Sequence, residues 1–277
     1  MENFILNNDV KIPKIGFGTY KNSDSTIIEN AIKAGYTLLD TASFYNTESF
    51  IKEAIKNTNT NRENLFITSK VWKTDMGYDN TIKAFFKTLE NLETNYLDLY
   101  LIHWPLPEYN YKNWKTLNID TWKALEDLYN DGKIRAIGVS NFLPHHLDNI
   151  LENCTIKPMV NQIEYHIGYT QEFTVNFCKK YNILIQAWSP ISRTRLFNEN
   201  LIIDLSKKYN VSLSQLCLKF ILQNDICPLP KTSSFERMLE NKDLFSFTIS
   251  KEDMYKLQTL PQLAWSGEHP DRERIYF

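Results

Sequence analysis

The chain predicts a single (β/α)8 barrel of the α/β class, with an N-terminal β-hairpin and extra helices toward its C-terminus. Three observations carry this. Short β-branched or leucine-rich runs alternate with amphipathic helical stretches from end to end, giving eight pairs at intervals of roughly 25–40 residues. The length, 277 residues, suits one closed barrel, and no repeat of solenoid period or Pro/Ser-rich linker divides it, so residues 1–277 read as one domain.

The elements follow in order. "FILNNDVKIP" reads as a hairpin turning at Asn7-Asn8-Asp9 and capping the bottom of the barrel. "KIGFGT" is the first barrel strand, then helical "DSTIIENAIKAG", with Gly35 as the left-handed residue ending that helix. "YTLLDTA" is the second strand, "NLFITSKV" the third and "LDLYLIH" the fourth, with helices starting near Asn46 and Tyr78 between them. Gly132 ends the helix before the fifth strand, "IRAIGVS"; "PMVNQIEY", "ILIQAWS" and "ICPLP" complete the set. "SLSQLCLKFILQND" is set apart as an extra helix before the eighth strand, and the tail "WSGEHPDRERIYF" reads as a loop. "GFGTYK" resembles a dinucleotide-fold fingerprint but has Lys21 where its last glycine belongs.

Composition narrows the function. A net charge of -2 and a pI of about 6.2 give no sign of a nucleic-acid partner. No apolar run approaches the roughly 20 residues of a membrane span, and the N-terminus lacks a signal-peptide pattern, so a cytoplasmic location is expected. Cys154, Cys178, Cys217 and Cys227 are scattered and are expected to be reduced, buried and inert. His103, His145, His146, His166 and His269 show no zinc-ligand spacing, so no metal is expected.

A barrel gathers the C-terminal ends of its strands at one rim, where chemistry is built. The second, third and fourth strands end on Asp40, Lys70 and His103, and Tyr45 lies five residues beyond Asp40. Singly, these could be a structural ion pair, a capping histidine and a packed tyrosine. Together they suit delivery of a proton from a phenol. Free tyrosine, with a pKa near 10, is too weak an acid, and an adjacent ammonium favours its phenolate. Asp40 would hold Lys70 charged, and a neutral His103 would orient the reacting oxygen.

The other strand ends resemble a shelf for a carboxamide-bearing ring: Ser140 and Asn141, then Gln162, then Trp188 with Ser189, an indole for stacking beside hydroxyl and amide groups. "PLPKTSSFERMLEN" places Lys231, Thr232 and Ser233 before a helix; Ser233 and Glu236 have capping-box spacing, and Arg237 lies one turn in. Two cations and a helix N-terminus form a phosphate site. Tyr20, Trp72, His103 and Trp104 would wall an aromatic substrate pocket.

In sum the chain resembles an aldo-keto reductase, near the bacterial diketogluconate/aldehyde reductase branch, through "GFGTY", "LLDTASFYNTE", "FITSKVW", "LDLYLIHWP", "KIRAIGVSNF", "NQIEYH", "AWSP" and "PKTSSFERMLEN" in family order. The resemblance implies a monomeric, NADPH-dependent reductase of small-molecule carbonyls, with Tyr45 as proton donor and Asp40, Lys70 and His103 completing the set. It implies Ser140, Asn141 and Gln162 at the nicotinamide carboxamide, and Thr19 and Asp40 beside its ribose. It also implies Lys231, Ser233 and Arg237 at the 2′-phosphate, and Glu240 and Asn241 near the adenine. Three departures stand out: "YNTE" follows an unusual order, Ile167 replaces a proline, and "SPISRTRLF" lacks the glycines of the pyrophosphate-covering loop. One alternative keeps the barrel as a cofactor-binding sensor with negligible turnover. Another, a hydrolase using Asp40, Glu48 or Glu164, leaves Lys70 and Tyr45 without a role.

Overall fold

The computed structural model describes residues 2–107 and 111–272. Strands β1 (Asn3–Ile5) and β2 (Lys11–Pro13) form the N-terminal antiparallel hairpin, with Phe4 opposite Ile12. Eight parallel strands follow in sequential order: β3 (Phe17–Gly18), β4 (Leu38–Asp40), β5 (Phe66–Val71), β6 (Leu99–Ile102), β7 (Ile137–Ser140), β8 (Val160–Glu164), β9 (Leu184–Trp188) and β10 (Cys227–Pro228). Gly16 N donates to Pro228 O at 3.1 Å and Gly18 N to Pro230 O at 3.0 Å, which joins the two edges and closes the barrel. Strands covered on both faces need apolar residues throughout rather than in alternation. "LYLI" in β6 and "IGVS" in β7 are accordingly buried at every position.

The first six crossovers are α1 (Ser25–Lys33), α2 (Glu48–Asn57), α3 (Tyr78–Leu92), α4 (Trp114–Asn130), α5 (Pro144–Leu151) and α6 (Glu172–Lys180). Their ends are set locally. Asp24 caps α1 by accepting from Thr26 N, and Gly35, at φ +87°, supplies the left-handed residue past its end. Gly138 has a different reason: a Cβ there would lie 2.5 Å from Val160 O, so only glycine lets β7 approach β8.

Two helices, α7 (Asn200–Tyr209) and α8 (Leu213–Gln223), connect β9 to β10. Here the sequence expectation is reversed. The helix set apart as extra, α8, packs on β10 and on α9 (Phe235–Lys242), whereas α7 packs on α8 and on α10 (Lys251–Gln258). The run Leu216–Leu222 is buried without interruption, as a barrel-covering helix wrapped by an outer one requires. The cap of α9 also moves by one residue. Ser234, not Ser233, accepts from Arg237 N at 3.2 Å, so Glu236 is too early to close a capping box and instead accepts from the Ser234 hydroxyl.

The tail is irregular to residue 272, and its last five positions, 273–277, lie outside the described residues. Among the described residues, no helix is long and apolar enough to cross a membrane. All four cysteines are free; Cys154 is only half-buried, while burial pushes the Cys178 and Cys217 thiols up to about 12.

Candidate active site

Asp40 is the last residue of β4, Lys70 lies one residue from the end of β5, and His103 follows β6 directly. Tyr45 closes a single 3-10 turn (Ser43–Tyr45), which Asn46 terminates at φ 55°. The four therefore converge at one rim. Lys70 is completely buried; its Nζ donates to Asp40 Oδ1 (2.8 Å), Asp40 Oδ2 (3.0 Å) and Thr41 O (2.8 Å). The ammonium thus grips both carboxylate oxygens of Asp40 and the Thr41 carbonyl. Its nitrogen lies 4.9 Å from the centre of the Tyr45 ring. Burial pushes the Lys70 pKa below the usual lysine range, and the Asp40 charge works against that shift.

Asp40 is held from several sides. Gln162 Nε2 donates to its Oδ2 at 2.7 Å and to Gln186 Oε1 at 3.1 Å. Thr19 Oγ1 donates to the Asp40 carbonyl at 3.0 Å and meets Thr47 Oγ1 at 2.9 Å. Thr19 is fully buried and supports Asp40 from the β3 side. Tyr45 OH stands 3.5 Å from His103 Nε2, close enough for one small oxygen to meet both.

These groups open onto a cavity of about 350 Å³. Tyr20, Trp72, Trp104 and Phe44 give it an aromatic wall, with Phe44 stacked on Trp72 at 3.9 Å and Tyr20 tilted against Tyr45 at 4.8 Å. Ser140, Asn141, Gln162, Trp188 and Ser189 line the same space. Their polar atoms are cross-linked: Asn141 Nδ2 donates to His103 O (2.9 Å), Trp188 Nε1 to Asn141 Oδ1 (2.8 Å) and Ser140 Oγ to Gln162 O (2.8 Å).

A second cavity of about 720 Å³ adjoins it, and Ile191, Arg193 and Lys231 line both. Here Lys231, Thr232, Ser233, Arg237, Glu240 and Asn241 come together. The loop between the cavities holds Ser189, Ser192, Arg193 and Thr194 at φ between 49° and 66°. It takes left-handed turns without the glycines that normally serve them.

Several lining residues were not singled out from the sequence. Phe44 could have been, as an aromatic beside Tyr45; so could Gln186, which lies behind the cavity as a partner of Gln162 and is a polar residue inside the strand "LIQAW". Lys21, Arg193 and Glu268 carry no local signal; tertiary folding brings them to the cavity. Folding also gathers His145, His146 and Asp271, with ligand-type atoms within 4.8 Å of one another. Leu143 N donates to His146 Nδ1 at 3.1 Å, which puts the proton of the neutral ring on Nε2, the atom facing Asp271. That tautomer is unsuited to metal ligation through Nε2.

The fold is thus a (β/α)8 barrel whose rim joins a buried Asp–Lys pair, a tyrosine and a histidine beside a cavity lined by Lys231 and Arg237. Residues 14–261 match the model of the aldo/keto reductase family. The chain is 44% identical over 270 residues to glyoxal reductase of Bacillus subtilis (strain 168), covering 96% of this chain and 95% of that protein. Among solved structures it resembles MGS-M4, an aldo-keto reductase from a Medee basin deep-sea metagenome library, with TM-score 0.92, 35% identity and coverage of 98% and 100%. It also resembles a Bombyx mori aldo-keto reductase in complex with NADP, with TM-score 0.86, 29% identity and coverage of 98% of each chain. The chain belongs to the aldo/keto reductase family.

Proposed function

We propose that the protein reduces small aldehydes and ketones to alcohols with NADPH, and that Tyr45 delivers the proton. The observation that carries this reading is the rim cluster: Tyr45 OH within 3.5 Å of His103 Nε2, backed by a fully buried Lys70 held on Asp40.

The side chains fit the dinucleotide. In the second cavity, Lys231 and Arg237 supply two cations beside the Ser233 and Thr232 hydroxyls, the donor set for a 2′-phosphate. Asn241 Oδ1 is buried there without a partner among the described residues, an acceptor suited with Glu240 to an exocyclic amine. In the first cavity, Trp188 offers a face for stacking and Ser140 a hydroxyl. Gln162, with Nε2 engaged by Asp40 and Gln186, has Oε1 left to accept from a carboxamide. Asn141 supports this shelf by holding Trp188 and His103, and Thr19 acts on the ribose side through Asp40. The Bombyx mori relative solved with NADP supports the same assignment.

When bound, a reduced nicotinamide supplies hydride to the carbonyl carbon. The protein's own groups manage the oxygen. His103, with its proton on Nε2, donates to the carbonyl oxygen and fixes its direction. Tyr45 O–H transfers its proton to that oxygen as the new C–H bond forms, so the product leaves as an alcohol. The Lys70 charge stabilises the phenolate left behind. Tyr20, Trp72 and Trp104 exclude water and favour small uncharged carbonyls, in keeping with the glyoxal reductase relative.

The test uses Tyr45→Phe. The wild type is expected to oxidise NADPH in the presence of glyoxal or another small aldehyde. The variant should bind NADPH with unchanged affinity in a fluorescence titration yet turn over at least about 100-fold more slowly. Near wild-type turnover in the variant rejects Tyr45 as donor, and absence of turnover in the wild type favours the sensor reading.

A further inference from the structure

Beyond α10 the chain crosses the rim as a strap. Leu263 N donates to Gly168 O, Ser192 Oγ to Ala264 O and Arg195 Nη1 to Trp265 O, each at 2.9 Å. These bonds fasten the strap to the loops after β8 and β9. Near the last described residues, Asp271 Oδ1 lies 2.9 Å from both His145 Nε2 and His146 Nε2 at the start of α5.

Ser266 is the centre of this arrangement. Its N–H donates to Glu164 Oε1 at 2.9 Å and its hydroxyl to Glu164 Oε2 at 2.6 Å. Glu164 is the last residue of β8 and is 2% exposed, so its carboxylate is fixed by the barrel wall. His166 packs behind the carboxylate, fully buried, with Nδ1 2.8 Å from Ile167 O and Nε2 3.3 Å from Glu164 Oε1. The Ser266 oxygen also accepts from Glu268 N at 3.2 Å, and Trp265 Nε1 donates to Glu268 O at 3.2 Å. Glu268 in turn lines the reaction cavity beside the aromatic wall. An unbroken series of bonds thus runs from a barrel strand, through one serine, to a residue facing the substrate space.

We infer that Glu164 and Ser266 are positioning residues for the carbonyl substrate: they hold the strap so that Glu268 completes the cavity wall, and so set substrate affinity without touching substrate or cofactor. The inference rests on the reductase reading above. A carboxylate with both oxygens engaged by one residue is a directional anchor, stronger than a neutral contact. Releasing it loosens an irregular segment between its loop contacts at residues 263–265 and the Asp271 contact with α5.

Three readouts test it: steady-state kinetics with glyoxal and NADPH, NADPH affinity by fluorescence, and hydrogen exchange over residues 260–272. Ser266→Ala, which removes the hydroxyl's bonds to Glu164 and from Glu268 N, should raise KM for glyoxal about two- to ten-fold. Its kcat and NADPH affinity should stay within about twofold, while exchange in the strap accelerates. Ser266→Thr, which keeps the hydroxyl, should restore KM. Glu268→Ala should raise KM likewise, and the double variant should be no worse than the poorer single one, because both changes act on one wall. An unchanged KM in Ser266→Ala overturns the inference, as does a strictly additive double variant or a matching loss of NADPH affinity. Lack of turnover by the wild type rejects the reductase reading instead, and unaccelerated exchange in Ser266→Ala then still overturns the anchor.

Discussion

Replacing Lys70 by Met separates the electrostatic part of the mechanism from its geometry. The Lys70 nitrogen lies 4.9 Å from the Tyr45 ring centre. At an effective dielectric of about 20, unit charges at that distance attract by about 3 kcal/mol. This is an upper bound, because the Asp40 carboxylate in contact with Lys70 offsets part of the field at Tyr45. Met alone would strand a buried carboxylate at a cost of about 3–5 kcal/mol in folding. The informative protein is therefore Asp40→Asn/Lys70→Met, which removes both charges and keeps the volume. Its melting temperature should stay within a few degrees of wild type, while kcat for aldehyde reduction falls by about 10- to 100-fold, the rate equivalent of about 1.4–3 kcal/mol. The alkaline limb of its pH–rate profile should also move to higher pH, since the phenol must remain protonated to act and no longer has a cation beside it. If the folded double variant keeps kcat within about threefold and an unmoved alkaline limb, Lys70 is structural and the reasoning fails.

Arg237→Ala should weaken NADPH binding tenfold or more while leaving NADH affinity unchanged in a paired fluorescence titration; equal losses reject a 2′-phosphate at Arg237. Gly138→Ala places a Cβ 2.5 Å from Val160 O and 2.9 Å from Leu101 Cδ2. It should lower stability by about 3 kcal/mol and the melting temperature by about 5 °C or more, read by thermal unfolding. Burial and the neighbouring His145 push the His146 pKa down to about 3, with Asp271 acting in the opposite direction. Because the folded value is the lower one, the unfolded chain takes up the proton first on acidification. The contribution is complete above about pH 6.5 and is lost between there and about pH 3, at no more than about 1.4 kcal/mol per pH unit. Urea unfolding at about pH 7.5 and about pH 5 should show a smaller drop in His146→Asn than in wild type, and an equal drop contradicts the assignment.

Much of this site is legible in the chain because its residues sit at strand ends. A buried run such as "TLLD" or "LYLIH" fixes where a strand stops, and in a parallel barrel every stop lies on the same rim. Asp40, Lys70 and His103 follow from that rule alone, and Tyr45 from its distance along one loop. Which polar atoms remain available is a different matter. Asn141 lines the cavity while its amide also holds His103 and Trp188, and the Thr19 hydroxyl donates to the Asp40 carbonyl. Hydrogen-bond satisfaction among buried groups depends on neighbours that can be more than 100 residues away, as Gln162 is from Asp40.

The sequence by itself determined the eight-strand alternation, the set of side chains on the rim and the two cations of the second cavity, because hydrophobic period and element ends are local properties. Only the tertiary structure decided that α8 rather than α7 covers the barrel and that Ser234 caps α9. Only it brought Glu268 to the cavity through Ser266 and Glu164. The strap has no periodicity of its own. Its course is set by hydrogen bonds to loops that the barrel's closure brings within reach, and such distances are absent from any stretch of chain read alone.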